Sequence, residues 1–190
     1  MDLHSQDALL IVDMQRDFCP GGALPVRDGD RLVPILNRWM ATFAQAHCPV
    51  FASRDWHPPH HVSFRERGGP WPPHCVQGTP GAAFQPGLAL PPGTIVIDKG
   101  TEPDRDAYSA FDGTDLTEHL YQLSVKRLTV GGLALDYCVR ASVLDALSMG
   151  FVVRLLRHGT LPVEVHEGDG MRALAEMVSA GAEIVDVALP

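Results

Sequence analysis

Long apolar runs are missing from this sequence of 190 residues. Its apolar stretches have the length of strands, so no transmembrane helix is expected and no membrane partner is indicated. The segment that begins Met1-Asp2-Leu3 also lacks the basic and apolar regions of a signal peptide. No repeat, low-complexity tract or linker divides the chain. We therefore expect one domain that spans residues 1–190.

Cysteine and concentrated positive charge are also scarce. The four cysteines show neither CxxC nor zinc-finger spacing, and reduced thiols in a cytoplasmic protein fit them best. The 15 basic residues form no run, and the net charge is -8. This charge argues against a broad surface for nucleic acid or acidic membranes. The sequence leaves open whether the chain is a monomer or a homo-oligomer.

Strand-like and helical segments alternate along the chain, of which 45% is hydrophobic and 20% charged. Near-continuous apolar strands with helices between them predict an α/β fold, in which helices cover both faces of a six-stranded parallel sheet. The predicted strands are Ala8–Val12, Pro49–Ser53, Thr94–Ile97, Leu128–Gly131, Phe151–Leu155 and Glu183–Val187. The predicted helices are an apolar stripe between Leu32 and Phe43, Asp115–Leu123, Cys138–Ser148 and Gly170–Ser179. Residues 57–93, rich in proline and glycine, predict a long irregular excursion.

Three reactive side chains are expected to meet at one edge of this sheet. Asp13 follows the first predicted strand, Lys99 follows the third, and Cys138 starts a helix after the fourth. Ligands bind at the carboxyl edge of parallel sheets, where all three would lie. A thiol at a helix N-terminus is favoured as thiolate by unpaired N–H groups and the helix dipole. An inert buried thiol is the ordinary alternative for Cys138 taken alone.

A histidine-rich segment of the excursion predicts a metal site. Asp55 and His57 share a face of an extended segment, His60 and His61 follow, and His74 lies in a second stretch. Two or three histidines with one carboxylate suit a divalent zinc, iron or manganese ion. Because His60 and His61 are adjacent on an extended segment, at most one of them is expected to be a ligand.

Six segments, in this order along the chain, resemble the nicotinamidases (pyrazinamidases) of the isochorismatase-like cysteine hydrolase superfamily. The strand-end Asp, Lys and Cys are typical of the superfamily, whereas DxHxxxH with WPPHCV is specific to nicotinamidases. The matching segments are DMQRDFCPGGAL (13–24), RDWHPPHHVSF (54–64), WPPHCVQGTPGA (71–82), DKG (98–100), YSAF (108–111) and GLALDYCV (132–139).

The resemblance implies roles for individual residues and a metal-dependent hydrolysis of nicotinamide to nicotinate and ammonia in NAD salvage. It implies a catalytic triad and an isochorismatase-like, three-layer fold with six parallel strands. The implied triad is Asp13, Lys99 and Cys138; the metal ligands are Asp55, His57 and His74, with His61 bound directly or through water. Phe18 and Trp71 would sandwich the pyridine ring, and a cis-peptide turn at Leu133-Ala134 would contact substrate and aim the backbone N–H groups of Ala134 and Cys138 at the oxyanion.

Two departures from the family pattern and two alternatives remain. Leu135 stands where the family often has Thr, and Arg157–Pro162 replaces an Asp followed by small residues. Neither change touches the triad or the metal set, but the second leaves substrate contacts in the late loop open. A related cysteine amidohydrolase with an N-carbamoyl or ureido substrate is one alternative. A catalytically silent module that binds metal or a partner is the other.

Overall fold

One parallel sheet forms the centre of the protein, and the predicted α/β architecture is confirmed. A computed structural model describes residues 3–186; Val187, the last residue of the sixth predicted strand, lies outside them, and the domain bounds 1–190 stay a prediction. The strands are β1 (Asp7–Val12), β2 (Val50–Asp55), β3 (Ile95–Lys99), β4 (Arg127–Leu133), β5 (Val152–Leu161) and β6 (Glu183–Val185). They pair in the order β3-β2-β1-β4-β5-β6, and each pair is parallel.

Four α-helices in the described part of the chain follow the predicted segments. They are α1 (Leu32–Gln45), α2 (Leu116–Gln122), α3 (Arg140–Ser148) and α4 (Asp169–Ser179). α3 ends two residues before Gly150, whose φ of 87° is a left-handed conformation that glycine adopts without steric cost. None of the helices between residues 3 and 186 has the length and apolar character needed to cross a bilayer.

Alternating side chains of the buried strands build a hydrophobic core on each face of the sheet. Ala8, Leu10 and Val12 of β1 belong to one cluster, together with residues of α2, α3 and α4. Leu9 and Ile11 belong to the other, together with residues of α1. All six residues of β1 are buried. This explains why the strand reads as a continuous apolar run rather than as an alternating one.

Strands β2, β3 and β4 each end two residues later than predicted, and two further elements near the carboxyl edge differ more. The fifth strand was expected to end at Leu155, but β5 continues to Leu161 after a register shift beside Val130 in β4. The third helix was expected to start at Cys138. Instead Cys138 lies in a single π-helical turn, Leu135–Val139, that leads into α3. Such turns are frequent at functional sites.

An ion pair at the opposite edge of the sheet allows a prediction about stability. The buried Asp7 carboxylate accepts hydrogen bonds of 2.6 Å from both Nε and Nη2 of Arg127. Burial would raise the pKa of Asp7, but Arg127 lowers it on balance. We expect Asp7→Asn to reduce the free energy of unfolding by about 2 kcal/mol at pH 7.

The pH dependence of this loss checks its origin. Because the pKa of Asp7 is lowered on folding, its contribution is complete above the unfolded pKa near 4 and is lost at lower pH. The difference between wild type and Asp7→Asn in urea unfolding should therefore shrink below about pH 4. A difference that stayed constant down to pH 2 would show that the charge of Asp7 is not its source.

Candidate active site

Three strand ends supply the charged residues of the site. Asp13 directly follows β1 and has a φ of 46°, a left-handed conformation that Asp tolerates better than most residues. Asp55 and Lys99 are the last residues of β2 and β3 and are register partners across the parallel pair. Paired residues of neighbouring strands project to the same side of a sheet. The strand register therefore brings Asp55 and Lys99 together.

Lys99 is the centre of the cluster. Its Nζ atom lies 2.9 Å from Oδ2 of Asp13 and contacts Oδ1 of Asp55. The same ammonium group lies 3.4 Å from Sγ of Cys138 and donates to the carbonyl oxygen of Ala107 at 3.2 Å. Lys99 is 1% exposed, so its charge is balanced by these carboxylates rather than by water. Asp13, Lys99 and Cys138, predicted from three distant segments, are in one buried cluster.

Burial and neighbouring charges change the pKa of each member of this cluster. Burial would lower the pKa of Lys99, but the carboxylates of Asp13 and Asp55 hold it well above its usual range. Burial raises the pKa of Asp13, and the charge of Lys99 offsets this only in part. Burial also raises the pKa of the Cys138 thiol well above its usual range, against the opposing effect of Lys99. This direction is opposite to the thiolate expected from a helix N-terminus, and a thiol whose pKa is raised needs a neighbouring base to react.

The Asp13 carboxylate is oriented toward that role. Its Oδ1 atom accepts a hydrogen bond of 2.7 Å from Oγ of Ser53. Its Oδ2 atom accepts no well-directed hydrogen bond within residues 3–186, although Lys99 stabilises its charge. Oxygen atoms of Asp13 and Asp55 and the Sγ atom of Cys138 all lie within 4.8 Å of one another. One oxygen of Asp13 is thus held by Ser53, while the other lies beside the Lys99 ammonium group and is the candidate proton acceptor.

The segment around Cys138 is held by its own hydrogen bonds. The peptide bond between Leu133 and Ala134 is cis, as the resemblance implied. The carbonyl of Ala134 accepts the N–H groups of Tyr137 and Val139, each at 3.1 Å. Leu135 is 3% exposed and belongs to the hydrophobic core. An apolar contact therefore takes the place of the hydroxyl that the family often has there.

Asp55, His57 and His74 form a compact donor set beside Lys99. Oδ2 of Asp55 lies 3.4 Å from Nε2 of His57 and 3.8 Å from Nε2 of His74. The Nδ1 atoms are engaged elsewhere, at 2.9 Å from the carbonyl of Gly100 and 2.8 Å from that of Pro72. A proton on each Nδ1 leaves a lone pair on each Nε2, as in histidines that bind metals. These three residues fit a divalent ion with N and O ligands.

The other two histidines of the cluster do not belong to this donor set. The side chain of His60 is 84% exposed and lies 3.3 Å from Glu66. His61 is buried and its ring stacks on that of His57. However, its two nitrogens lie 2.7 Å from Oγ of Ser63 and 2.9 Å from the carbonyl of Arg105. This arrangement disagrees with direct ligation by His61, because both ring nitrogens face other partners.

A small cavity opens next to the thiol and the donor set. Of the residues predicted to contact substrate, Phe18, Trp71 and Ala134 line it, together with Cys138, Asp55, His57 and His74. Leu133 does not, because this last residue of β4 packs into the hydrophobic core on the α1 side. The structure therefore gives no support to the expected contact of Leu133 with substrate.

Sequence reasoning missed several residues of the cavity wall. Tyr108 and Tyr137 line it, and so do Leu24 and Val163. The Trp71 ring donates its N–H to Oη of Tyr108 at 2.9 Å and meets Tyr137 edge to face. Both tyrosines lie in segments that carried the resemblance, so their aromatic character was the available signal. The wall is therefore aromatic on more sides than the Phe18–Trp71 pair alone.

Comparison with known proteins is consistent with this geometry. Residues 7–188 match the model of the isochorismatase domain. The chain belongs to the isochorismatase family. The nicotinamidase of Escherichia coli (strain K12) is 39% identical, and the match covers 95% of this chain and 95% of that protein.

Two solved structures in the comparison carry ligands of interest. The pyrazinamidase of Pyrococcus horikoshii in complex with zinc has a TM-score of 0.92 at 52% identity, over 96% of this chain and 99% of the other. PnC1 from L. infantum in complex with nicotinate has a TM-score of 0.90 at 38% identity, over 97% of this chain and 95% of the other. The resemblance found in the sequence is thus confirmed.

The late segment that departs from the family pattern, Arg157–Pro162, leads directly into Val163, which lines the cavity. Part of it, up to Leu161, is strand β5, where Thr160 pairs with Gly132. Beyond the strand, the Asp136 carboxylate accepts the N–H groups of Val163 and Glu164 at 2.8 and 3.0 Å. The chain before Cys138 therefore holds the late loop against the cavity.

Proposed function

We propose that this chain is a metal-dependent nicotinamidase that hydrolyses nicotinamide to nicotinate and ammonia. One observation carries the proposal: the Cys138 thiol, beside Lys99 and Asp13, lines the same aromatic cavity as the Asp55–His57–His74 donor set. Relatives of this family named nicotinamidases, and one structure in complex with nicotinate, support the substrate. Because the proposed substrate is free nicotinamide, the enzyme would act in NAD salvage. Its reactive thiol is compatible with the reducing conditions of a cytoplasm.

The cavity would hold the flat pyridine ring between aromatic side chains. Phe18 and Trp71 are on its wall with Tyr108 and Tyr137, and such rings contribute stacking or edge-to-face contacts. Asp55, His57 and His74 would hold a zinc, iron or manganese ion. That ion would supply a Lewis-acid contact for the ring nitrogen. These contacts would direct the carboxamide carbon toward Cys138.

The residues around Cys138 account for formation of the acyl enzyme. Asp13 takes the thiol proton, and Lys99 stabilises both the carboxylate and the new thiolate. Sγ of Cys138 attacks the carboxamide carbon, and the backbone N–H groups of Ala134 and Cys138 stabilise the oxyanion. Asp13 returns its proton to the departing nitrogen, which leaves as ammonia. The product of this half-reaction is a nicotinoyl thioester on Cys138.

Hydrolysis of the thioester uses the same base. Asp13 takes a proton from a water molecule, and the resulting hydroxide attacks the thioester carbon. The carbon–sulfur bond breaks, and the proton on Asp13 returns to Sγ of Cys138. The new carboxylic acid loses its own proton to solvent and is released as nicotinate. The raised pKa of Asp13 suits both half-reactions, because it makes the carboxylate a better proton acceptor, and the protonated group can then act as the acid.

Release of ammonia and nicotinate from nicotinamide by the purified protein tests the proposal directly. Equal amounts of both products are expected. An N-carbamoyl amino acid, assayed in parallel, should release no ammonia. Turnover of the N-carbamoyl compound alone would assign the chain to another amidohydrolase group. Absence of turnover with either compound, in protein that binds a divalent ion, would indicate a silent metal-binding module.

Benzamide provides a prediction about substrate choice. It has the carboxamide and nearly the shape of nicotinamide but no ring nitrogen. A site built to bind a polar group rejects analogues that lack it by roughly 10⁴-fold. A water molecule on the ion could recover part of this loss, so we expect kcat/KM for benzamide to be at least about 100-fold below that for nicotinamide. Steady-state ammonia release measures both values.

A second analogue tests whether the position of the ring nitrogen decides the preference for nicotinamide. Picolinamide is a matched control because it keeps the ring nitrogen but moves it next to the ring carbon that bears the carboxamide. We expect it to react as poorly as benzamide. Comparable kcat/KM values for nicotinamide and benzamide would contradict the contact between ring nitrogen and ion, and would leave a generic aromatic amidase.

A further inference from the structure

Gln15 makes an unusual set of buried hydrogen bonds with the backbone of a proposed metal ligand. Its side chain is in the turn after β1 and has no exposed surface. Oε1 accepts the N–H of Asp55 at 2.8 Å, and Nε2 donates to the carbonyl of the same residue at 2.8 Å. Nε2 also donates to the carbonyl of Ala82 at 2.9 Å. The side-chain amide therefore pairs with Asp55 as a neighbouring strand would.

The Gln15 side chain continues the hydrogen bonding between β1 and β2 as far as Asp55, the proposed metal ligand. The backbone N–H of Asp13 bonds to the carbonyl of Ser53 at 3.1 Å, where β1 ends beside β2. Asp55 lies two residues beyond Ser53. Without Gln15, its buried N–H and carbonyl groups would lack these partners on the β1 side. Gln15 thus fixes the backbone of Asp55, and so the direction of the carboxylate that lies beside His57, His74 and Lys99.

Asp17 also binds the backbone beside a proposed metal ligand, in this case next to His74. Its Oδ2 atom accepts the N–H of Cys75, the next residue, at 2.7 Å. Oδ1 accepts the N–H of Ala23 at 3.2 Å. A Cβ atom at Gly81 would collide with this carboxylate, so glycine there leaves the space that Asp17 occupies. The turn Gln15–Asp17 therefore contacts both segments of the donor set.

We propose that Gln15 and Asp17 are positioning residues that set the geometry of the metal site. Neither residue supplies a ligand: Gln15 orients Asp55 through its backbone, and Asp17 fixes the backbone next to His74. The inference rests on the proposed function for the metal site itself. Because partners that orient metal ligands affect affinity, their loss should weaken metal binding even when no substrate is present.

Metal binding measured directly tests this proposal. Metal-free protein is titrated with Co²⁺ in competition with a chromogenic chelator, and the visible absorption of bound Co²⁺ reports ligand geometry. We expect Gln15→Met, similar in length but without hydrogen-bonding groups, to weaken Co²⁺ binding at least about tenfold and to alter the spectrum. Asp17→Asn keeps one acceptor and should weaken binding about threefold, the loss of one hydrogen bond.

Asp7→Asn is the matched control, because it changes a buried polar group on the other end of β1 and should retain wild-type Co²⁺ affinity and spectrum. An equal loss of affinity in this control would overturn the proposal by showing a general effect of instability. If Gln15→Met does not fold, the Co²⁺ affinity of Asp17→Asn alone tests the positioning role. Unchanged affinity in the variants would overturn the positioning role only. Wild type that binds no Co²⁺ would overturn the metal site as well.

Discussion

Cys138→Ala is expected to abolish nicotinamide hydrolysis while the fold and the metal content stay nearly intact. Only one sulfur atom is lost, and Sγ is the nucleophile of the proposed reaction. Removal of a catalytic nucleophile costs several orders of magnitude, so we expect kcat to fall by at least about 10³-fold. Ammonia release at saturating nicotinamide measures this loss. Circular dichroism and metal analysis establish that the variant is otherwise comparable to wild type.

Cys48→Ala is the matched control. Cys48 is also buried, but it precedes the first residue of β2 and so lies at the end of the strand away from the site. It should retain full activity. Mass spectrometry of acid-quenched wild type should find the nicotinoyl adduct on Cys138, while Cys19, Cys48 and Cys75 stay unmodified. More than a few per cent of wild-type activity in Cys138→Ala would rule out the covalent route.

Lys99→Met should have the second largest effect, on activity and stability together. The substitution keeps the length of the side chain but removes the cation between Asp13 and Asp55, both buried. Loss of one partner from a buried ion pair costs about 3–5 kcal/mol, because the remaining charge has no compensation. We expect this loss in urea unfolding. Activity should fall at least about 10³-fold, because neither the thiolate nor Asp13 would be stabilised as an anion.

Lys126 offers a matched control, since it is the only other lysine of the chain and is exposed. Lys126→Met should change the free energy of unfolding by less than about 0.5 kcal/mol and leave activity unaltered. Lys99→Met with wild-type stability would imply that the two carboxylates are already protonated in the native protein. Wild-type activity in the same variant would exclude Lys99 from the reaction.

The sequence predicted the components of the site because each follows a recognisable strand. Asp13, Lys99 and Cys138 come after apolar runs, and the rule that parallel strands share a carboxyl edge brings them together. Asp55 and His57 could be predicted for the same reason, since both lie at or just after the end of β2. Local pattern and one topological rule were sufficient at these positions.

Other features depend on register or on long-range packing, which local patterns do not contain. The contact of Lys99 with Asp55 follows from the pairing of β2 with β3, and the Gln15 amide bonds to Asp55, 40 residues away. The orientation of the His61 ring depends on Ser63 and on the carbonyl of Arg105. The extra length of β5 follows from a register shift against β4. None of these contacts has a signature in the adjacent sequence.

The assembly of the site from separate strand ends has a consequence for biosynthesis. Asp13 and Cys138 are held by neighbouring strands, β1 and β4, although most of the chain is synthesised between them. A growing chain therefore contains the base and the cation before the thiol, and the three side chains come together only when β4 pairs with β1. Enzymatic activity during refolding should consequently appear with completion of the central sheet, and not with formation of the first helices. Recovery of turnover is thus a direct reporter of the pairing of β1 with β4.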